Sequence, residues 1–178
     1  GNGLDDAARE TGRLAIAQAF EAILSDAGLD DSMRGELMML PSLTYLSEQQ
    51  LVADPSRIHQ EREGLKAWLG ARFEDELAAL HQRVSDVDFR QDAASRGARK
   101  VKTQALVYLA AGNPDRASDL AAAQYDAAGN MTDRQGALMV LTGLGTAARG
   151  HDLTRAGALE GRAQLVGGDE ADQDVALA

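Results

Sequence analysis

A four-residue corner that occurs twice constrains the fold of this sequence more than any other feature. Residues 110–113 read Ala-Ala-Gly-Asn, and residues 127–130 repeat those letters within the stretch 92–144. Glycine adopts the left-handed conformation that ends many helices, and asparagine is a preferred cap of the next one. We therefore predict three short helices in series, with Gly112 ending the first. Asn113 caps the second helix, and Pro114 suits its first position.

Other helix boundaries also have local signals. Residues 132–135 (Thr-Asp-Arg-Gln) have the spacing of a capping box, which predicts that Thr132 caps the third helix. Upstream, Asp54 and the proline after it open a longer helix, which we expect to continue as far as Val84. Gly64 and Gly70 are the places where we expect that helix to bend or break, because glycine weakens a helix interior.

Apolar residues recur at helical spacing in the first half of the chain. They predict a helix over residues 5–26, a short one from Asp31 to Pro41, and a third capped by Ser42. The residues expected to face the core are Leu14, Ala17, Ala19, Phe20, Ile23, Leu24, Met33, Leu37, Met38, Met39, Leu40, Leu43, Tyr45, Leu46 and Leu51.

Composition and pattern together predict an all-α fold of stacked antiparallel helix pairs, similar to a superhelix. Hydrophobic residues make up 44% of the 178 residues, aromatic residues only 4%, and no alternation typical of strands is present. We expect one helical domain over residues 1–145. Residues 146–178 are rich in glycine and acidic residues, and we expect a poorly ordered tail with at most one short helix around 153–165.

The charge balance argues against nucleic-acid binding. The formal net charge is −10, and a field of that sign repels phosphate backbones. The basic cluster of Arg96, Arg99, Lys100 and Lys102 has no interleaved aromatic residues, so we interpret it as the solvated side of a helix. No segment is apolar enough to cross a bilayer, and no leader sequence is evident, so a cytoplasmic protein without membrane contact is expected.

No constellation of residues predicts catalysis. The chain has no cysteine, which excludes thiolate metal sites and thiol nucleophiles. His59 and Glu63 lie four apart on one helix face, but a zinc site needs further ligands, so we interpret His59 as a half-exposed surface residue. His81 and His151 have no distinguishing context. HExxH, nucleophile-elbow and phosphate-loop motifs are absent. We therefore predict no catalytic, cofactor-binding or metal-binding residue.

Several motifs resemble the C-terminal helical domain of bacterial aminopeptidase N, over roughly residues 14–144. The most specific is residues 124–133, Gln-Tyr-Asp-Ala-Ala-Gly-Asn-Met-Thr-Asp, followed by Ala137 and Leu138. Earlier pieces of the resemblance are Leu40-Pro41-Ser42, Glu48, Asp54-Pro55, Ile58-His59, Arg62-Glu63 and Asp75-Glu76-Leu77.

The resemblance implies a non-catalytic part of a zinc exopeptidase that removes N-terminal residues from peptides. In that family the zinc ligands and the catalytic residues belong to an upstream domain, and the helical domain covers the catalytic cleft. The resemblance therefore implies that the partner is that metallopeptidase domain, that peptides are met only indirectly, and that the chain is inactive alone. It ends near residue 145, and the chain begins without Met, so we expect a fragment with a truncated or frameshifted end.

Two alternatives remain open at this stage. The repeated corner also fits a freestanding helix-repeat module that binds other proteins, although such modules usually need about three repeats for stability. An autonomous metallohydrolase that uses His59 and Glu63 is the other alternative, and bound zinc with turnover would identify it.

Overall fold

The computed structural model of the chain describes residues 2–85 and 90–145, with side chains from residue 6 onward. In these ranges every regular element is a helix, which confirms the all-α prediction. The helices are α1 (Asn2–Ser25), α2 (Asp31–Leu37), α3 (Leu43–Glu48), α4 (Pro55–Arg72), α5 (Glu74–Ser85), α6 (Ala93–Gly112) and α7 (Pro114–Ala127). An eighth helix, α8, covers residues 131–145.

The chain divides into two compact units, residues 1–141 and residues 142–178, and the packing described below lies within the first. The expected tail, residues 146–178, lies outside the described residues. Within the described ranges, no helix is both long enough and apolar enough to cross a membrane.

Helix α6 lies at the centre of the first unit, with α2, α4, α5 and α7 packed around it. Its side chains Val101, Ala105, Leu106 and Leu109 are fully buried. Helix α1 contacts α2 and α5, and α3 lies on α4. Tyr108 of α6 is also buried and donates a hydrogen bond of 2.6 Å from its hydroxyl to the carbonyl oxygen of Met38. The core is therefore a layer of small and aliphatic side chains organised by one helix.

Most of the predicted caps are present. Ser42 accepts a hydrogen bond from the backbone N–H of Tyr45, and Asp54 accepts one from that of Arg57. Asn113 accepts one from the N–H of Arg116 at 3.1 Å. Each bond satisfies a donor that a helix leaves free at its first turn.

The second corner differs from the prediction in the identity of its cap. Asn130 caps α8, because its Oδ1 accepts a hydrogen bond of 2.9 Å from the N–H of Asp133. Thr132 lies inside the helix, so the capping-box prediction for residues 132–135 is wrong. The side chain of an asparagine reaches the backbone N–H three residues later. Asparagine therefore caps the following helix at both corners.

The predicted role of Gly112 as a left-handed helix end is also wrong. Helix α6 does end at Gly112, as predicted, but no described residue has a positive φ. Gly112 instead lies against Gly70 of α4: a Cβ added to Gly112 would be 2.3 Å from the carbonyl carbon of Gly70. Glycine is needed here because the two backbones touch.

The long helix predicted after Asp54 is broken, but not at a glycine. It ends at Arg72, and Phe73 (φ −112°, ψ 32°) separates it from α5. The Phe73 side chain is buried, with its ring centroid 5.6 Å from that of Phe20 on α1. The break therefore points this aromatic ring into the core.

The core prediction holds for part of α1 and for Met38 after α2, but not for α3, which has no buried residue. Ala17, Phe20 and Met38 are buried, whereas Leu51 is fully exposed. Burial of each residue depends on which faces of the short helices the neighbouring helices cover. The other residues that were expected in the core and are exposed are Leu14, Ala19, Met33, Leu37, Met39, Leu43 and Tyr45.

Candidate functional site: a polar cavity and an apolar groove

A buried polar cluster joins four helices. His81 of α5 is only 4% exposed, and its Nε2 lies 2.8 Å from Oε1 of Gln124 on α7. The amide Nε2 of Gln124 donates a hydrogen bond of 2.8 Å to the carbonyl oxygen of Asp133 on α8. Because this bond directs the amide oxygen toward the ring, Nε2 of His81 must carry the proton. Nδ1 is then an acceptor, and it has no partner among the described residues.

An ion pair completes the cluster. Nζ of Lys102 on α6 lies 3.1 Å from Oδ2 of Asp133, with the two side chains 9% and 14% exposed. Asn130 also donates to this oxygen at 3.1 Å. The carboxylate of Asp133 is therefore already satisfied by a cation and an amide, and it fixes the first turn of α8 on α6.

The cluster borders a cavity of about 460 Å³, which we call the polar cavity; its lining includes His81, Lys102, Gln124, Asn130 and Asp133. Burial lowers the pKa of His81, the hydrogen bond to Gln124 opposes this shift, Lys102 adds to it and Asp133 opposes it. The imidazole is therefore neutral near pH 7. The one carboxylate that lines the polar cavity, that of Asp133, is paired with Lys102. The cluster is therefore suited to holding its four helices together.

Sequence reasoning missed His81, although a signal was present. His81 lies on the apolar stripe of α5 formed by Leu77, Leu80 and Val84, so the helical period places it in the core. The pairing with Gln124 could not be read from the sequence, because the two residues are 43 positions apart.

His59 and Glu63 do not form a metal site in this structure. His59 is exposed, and Glu63 accepts hydrogen bonds from Arg62 and Lys66 at 2.8 Å or less. Partial burial raises the pKa of Glu63, but the bonds and charges of Lys66 and Arg62 outweigh it and hold that pKa below its ordinary value. Within the described residues, no three acidic or histidine side chains are grouped as metal ligands.

The basic cluster on α6 is not one solvated face, so that interpretation was wrong. Arg96 is exposed, but Lys102 is buried in the ion pair described above. Lys100 binds Glu36 of α2, and Arg99 donates to the carbonyl oxygen of Arg90. The cluster is divided because α2 binds Lys100 through Glu36 and α8 binds Lys102 through Asp133.

A second concavity of about 860 Å³, which we call the apolar groove, lies between α1, α3 and α4. Its charged lining residues are Arg9, Asp54, Arg57, Glu61 and Arg62. Its apolar lining residues are Ile16, Leu40, Pro41, Leu46, Val52, Ile58 and Leu65.

Outside both concavities, one buried arginine binds the end of α1. Arg34 of α2 is 5% exposed and donates to the carbonyl oxygens of Ile23, Leu24, Asp26 and Leu29, with the last three bonds 2.6–3.1 Å long. These carbonyls lie at and beyond the end of α1, where helical partners are missing. One guanidinium therefore caps α1 and fixes the turn that follows it.

Comparison with known proteins identifies the same domain in several aminopeptidases. The chain is 32% identical to aminopeptidase N of Escherichia coli (strain K12) over 123 residues, which are 69% of this chain and 14% of that protein. It is 30% identical over 139 residues to aminopeptidase N of Caulobacter vibrioides, covering 76% of this chain and 16% of that one.

A solved structure agrees. The crystal structure of Legionella pneumophila aminopeptidase A in complex with aspartic acid matches with a TM-score of 0.59 and 27% identity, over 69% of this chain and 16% of that one. The chain thus spans 14–16% of the length of these relatives. Residues 4–166 match one protein family. The chain therefore belongs to the family described as "Domain of unknown function (DUF3458_C) ARM repeats", and it corresponds to a part of the C-terminal helical domain of aminopeptidase N.

Proposed function

We propose that this chain is a non-catalytic part of the helical domain that covers the catalytic cleft of a zinc aminopeptidase. The observation that carries the proposal is the similarity to two aminopeptidases N, each over more than two thirds of the chain. Zinc and the catalytic residues then belong to the metallopeptidase domain of the parent protein, which is the partner of this chain.

The described structure is consistent with a covering role. The helix stack centred on α6 has exposed apolar side chains, and large exposed apolar patches commonly mark contact surfaces. A cap of this kind would restrict entry to the cleft by size, so that peptides reach it and folded proteins do not. Contact with the peptide substrate is indirect.

A chimeric enzyme tests the proposal. The matched stretch of E. coli aminopeptidase N is replaced by the corresponding residues of this chain, and zinc content and aminoacyl-anilide hydrolysis are measured. We expect the folded chimera to bind zinc and turn over the anilide, and the isolated 178-residue chain to do neither. Stoichiometric zinc with turnover in the isolated chain would overturn the proposal.

A freestanding helix-repeat module that binds proteins is the second candidate, and the family description, ARM repeats, favours it. The two candidates differ in what the coding DNA contains. An HExxH-encoding segment upstream in the same gene supports the cap, whereas an ordinary start codon immediately before residue 1 supports the module. A cytoplasmic location remains a prediction that cell fractionation would test.

A further inference from the structure

The apolar groove has walls that no described residue covers. Val52 is 87% exposed, and Ile16 is 40% exposed. Val52 lines the groove from the loop after α3, and Ile16 lines it from α1. Apolar side chains left open around a concavity of this size are typical of a site that another apolar surface fills.

The charge of the groove differs from that of the chain. Three arginines and two carboxylates line it, in a chain with 28 acidic and 18 basic residues. Arg9 pairs with Glu61 at 3.7 Å, and Arg62 binds Glu63 and the carbonyl oxygen of Pro41. The guanidinium of Arg57 has no such partner among the described residues, so the groove offers one free cation beside its apolar wall.

The groove also gathers residues that carry the resemblance to aminopeptidase N. The pieces around positions 40 and 54–63 lie far apart in sequence, but α3 and α4 bring them to one surface. The groove residues that belong to those pieces are Leu40, Pro41, Asp54, Ile58 and Arg62. These positions therefore share a surface, although only Ile58 among them is buried in the core.

We infer that the apolar groove is the surface through which this domain docks on the metallopeptidase domain. The occupant is a segment of that domain that places apolar side chains against Ile16 and Val52 and a carboxylate on Arg57. This inference rests on the proposed function. It is supported by the short span of the chain, since 84–86% of the length of the matched aminopeptidases lies outside the region of similarity.

Footprinting provides the test. Hydroxyl-radical labelling is compared between the isolated chain and the chimeric aminopeptidase described above. We expect labelling of Ile16, Leu46 and Val52 to slow several-fold in the chimera, whereas Met131, which is 73% exposed outside the groove, keeps its rate. If the chimera does not fold, the same comparison of aligned positions in unaltered E. coli aminopeptidase N decides the question.

Charge reversal tests the predicted carboxylate. Arg57→Glu should lower the melting temperature of the chimera by several degrees and leave that of the isolated chain unchanged, because Arg57 is exposed there and forms no ion pair with a described residue. Arg96→Glu is the matched control: Arg96 is also exposed, lies on α6 and is not part of the groove. The control should change neither protein, and an equal effect of both substitutions on the chimera would overturn the inference.

The outcomes separate this inference from the proposed function. If another face of the chain is protected in the chimera while the groove stays open, the cap function stands and the inference fails. If no face is protected, both fail. Protection of the groove in the isolated chain, with a dimer in analytical ultracentrifugation, would assign the groove to a second copy of the chain and would also overturn the inference.

Discussion

Gly70 of α4 and Gly112 of α6 touch backbone to backbone. A Cβ on Gly70 would lie 2.0 Å from the carbonyl oxygen of Tyr108, and a Cβ on Gly112 would lie 2.2 Å from the backbone nitrogen of Ala71. Real side-chain atoms do not approach backbone atoms so closely. This contact therefore sets the separation of α4 and α6.

Alanine at this contact should be destabilising. Gly112→Ala must push α4 away from α6, so we expect a loss of about 3 kcal/mol or more in the free energy of unfolding, as for severe overpacking. Gly64→Ala is the control in α4, since a Cβ there meets nothing within 4 Å. It should stabilise by up to about 1 kcal/mol, because alanine is the better helix former. Urea denaturation measures both, and equal effects would contradict the contact.

Neutralising Asp133 should weaken the attachment of α8. Asp133→Asn leaves the ammonium of Lys102 buried without its counter-ion, which should cost about 3 kcal/mol. Glu36→Gln removes the exposed partner of Lys100, with the Glu36 side chain 62% exposed, and should cost at most about 1 kcal/mol. Chemical denaturation of both variants tests the difference, and equal losses would show that burial of the pair is energetically unimportant.

Hydrogen exchange should show α8 as the less stable part of the stack. We expect residues 135–141 to exchange faster than residues 92–109, because the earlier stretch lies in the central helix and the later one has a single buried side, formed by Ala137 and Val140. Asp133→Asn should increase exchange in residues 135–141 more than in 92–109. Equal protection of the two segments in the unaltered chain would contradict this prediction.

The free energy of unfolding should decrease as the pH is lowered below neutrality. Since burial lowers the pKa of His81 from its ordinary 6.5, the unfolded chain binds the proton more readily than the folded one. The stabilising contribution of the neutral His81 is therefore fully present above pH 6.5. It decreases below that pH, until the imidazole of the folded chain is also protonated. His81→Gln should abolish this slope between pH 6.5 and the region where carboxylates titrate.

His59→Gln serves as the matched control, because His59 is exposed and outside the polar cavity. Urea unfolding from pH 5 to pH 8 compares the three proteins. A slope that survives in His81→Gln and disappears in His59→Gln would assign the titration to the wrong histidine and refute the prediction.

The hydrogen bond of the buried Tyr108 hydroxyl should stabilise the folded chain. Tyr108→Phe leaves the carbonyl oxygen of Met38 without its 2.6 Å hydrogen bond and should cost about 1–3 kcal/mol. Tyr45→Phe, at a side chain that is 54% exposed, should change stability by less than about 0.5 kcal/mol. Thermal denaturation near pH 7 measures both, and a neutral Tyr108→Phe would show that the hydroxyl bond contributes nothing.

Burial of Tyr108 also predicts a loss of stability at alkaline pH. Burial raises the pKa of Tyr108 from 10 to about 12, and the charge of Arg62 opposes this shift. The folded chain therefore holds this proton more tightly than the unfolded chain, and its stabilising contribution is lost as the pH rises from 10 toward 12. Titration of phenolate absorbance should show one late tyrosine, and that late step should be missing in Tyr108→Phe.

Local signals in the sequence predicted the helices well because caps act over three or four residues. Ser42, Asp54 and Asn113 each bind a backbone N–H three positions later, and the sequence alone contains both partners. The same locality explains the error at Thr132. Two capping residues stood two positions apart, and the choice of Asn130 depends on where α8 begins relative to α6 and α7.

Burial was less predictable because it depends on neighbouring helices. Met38 and Met39 are adjacent and chemically identical, yet Met38 is 1% exposed and Met39 is 50% exposed. His81 and His59 both lie on helices, but only His81 faces α7. The apolar groove could not be foreseen either, since it joins residues of α1, α3 and α4 that are up to 56 positions apart.

The sequence by itself determined that the chain is helical, where most helices begin, and which family it resembles. Each of these rests on interactions between residues close in sequence, or on motifs read letter by letter. The tertiary structure alone decided that the repeated Gly-Asn corners are not equivalent. Gly112 is required because another glycine backbone lies against it, whereas a Cβ on Gly129 would meet nothing within 4 Å. The two identical local sequences differ in their need for glycine because only the first of them packs against the backbone of another helix.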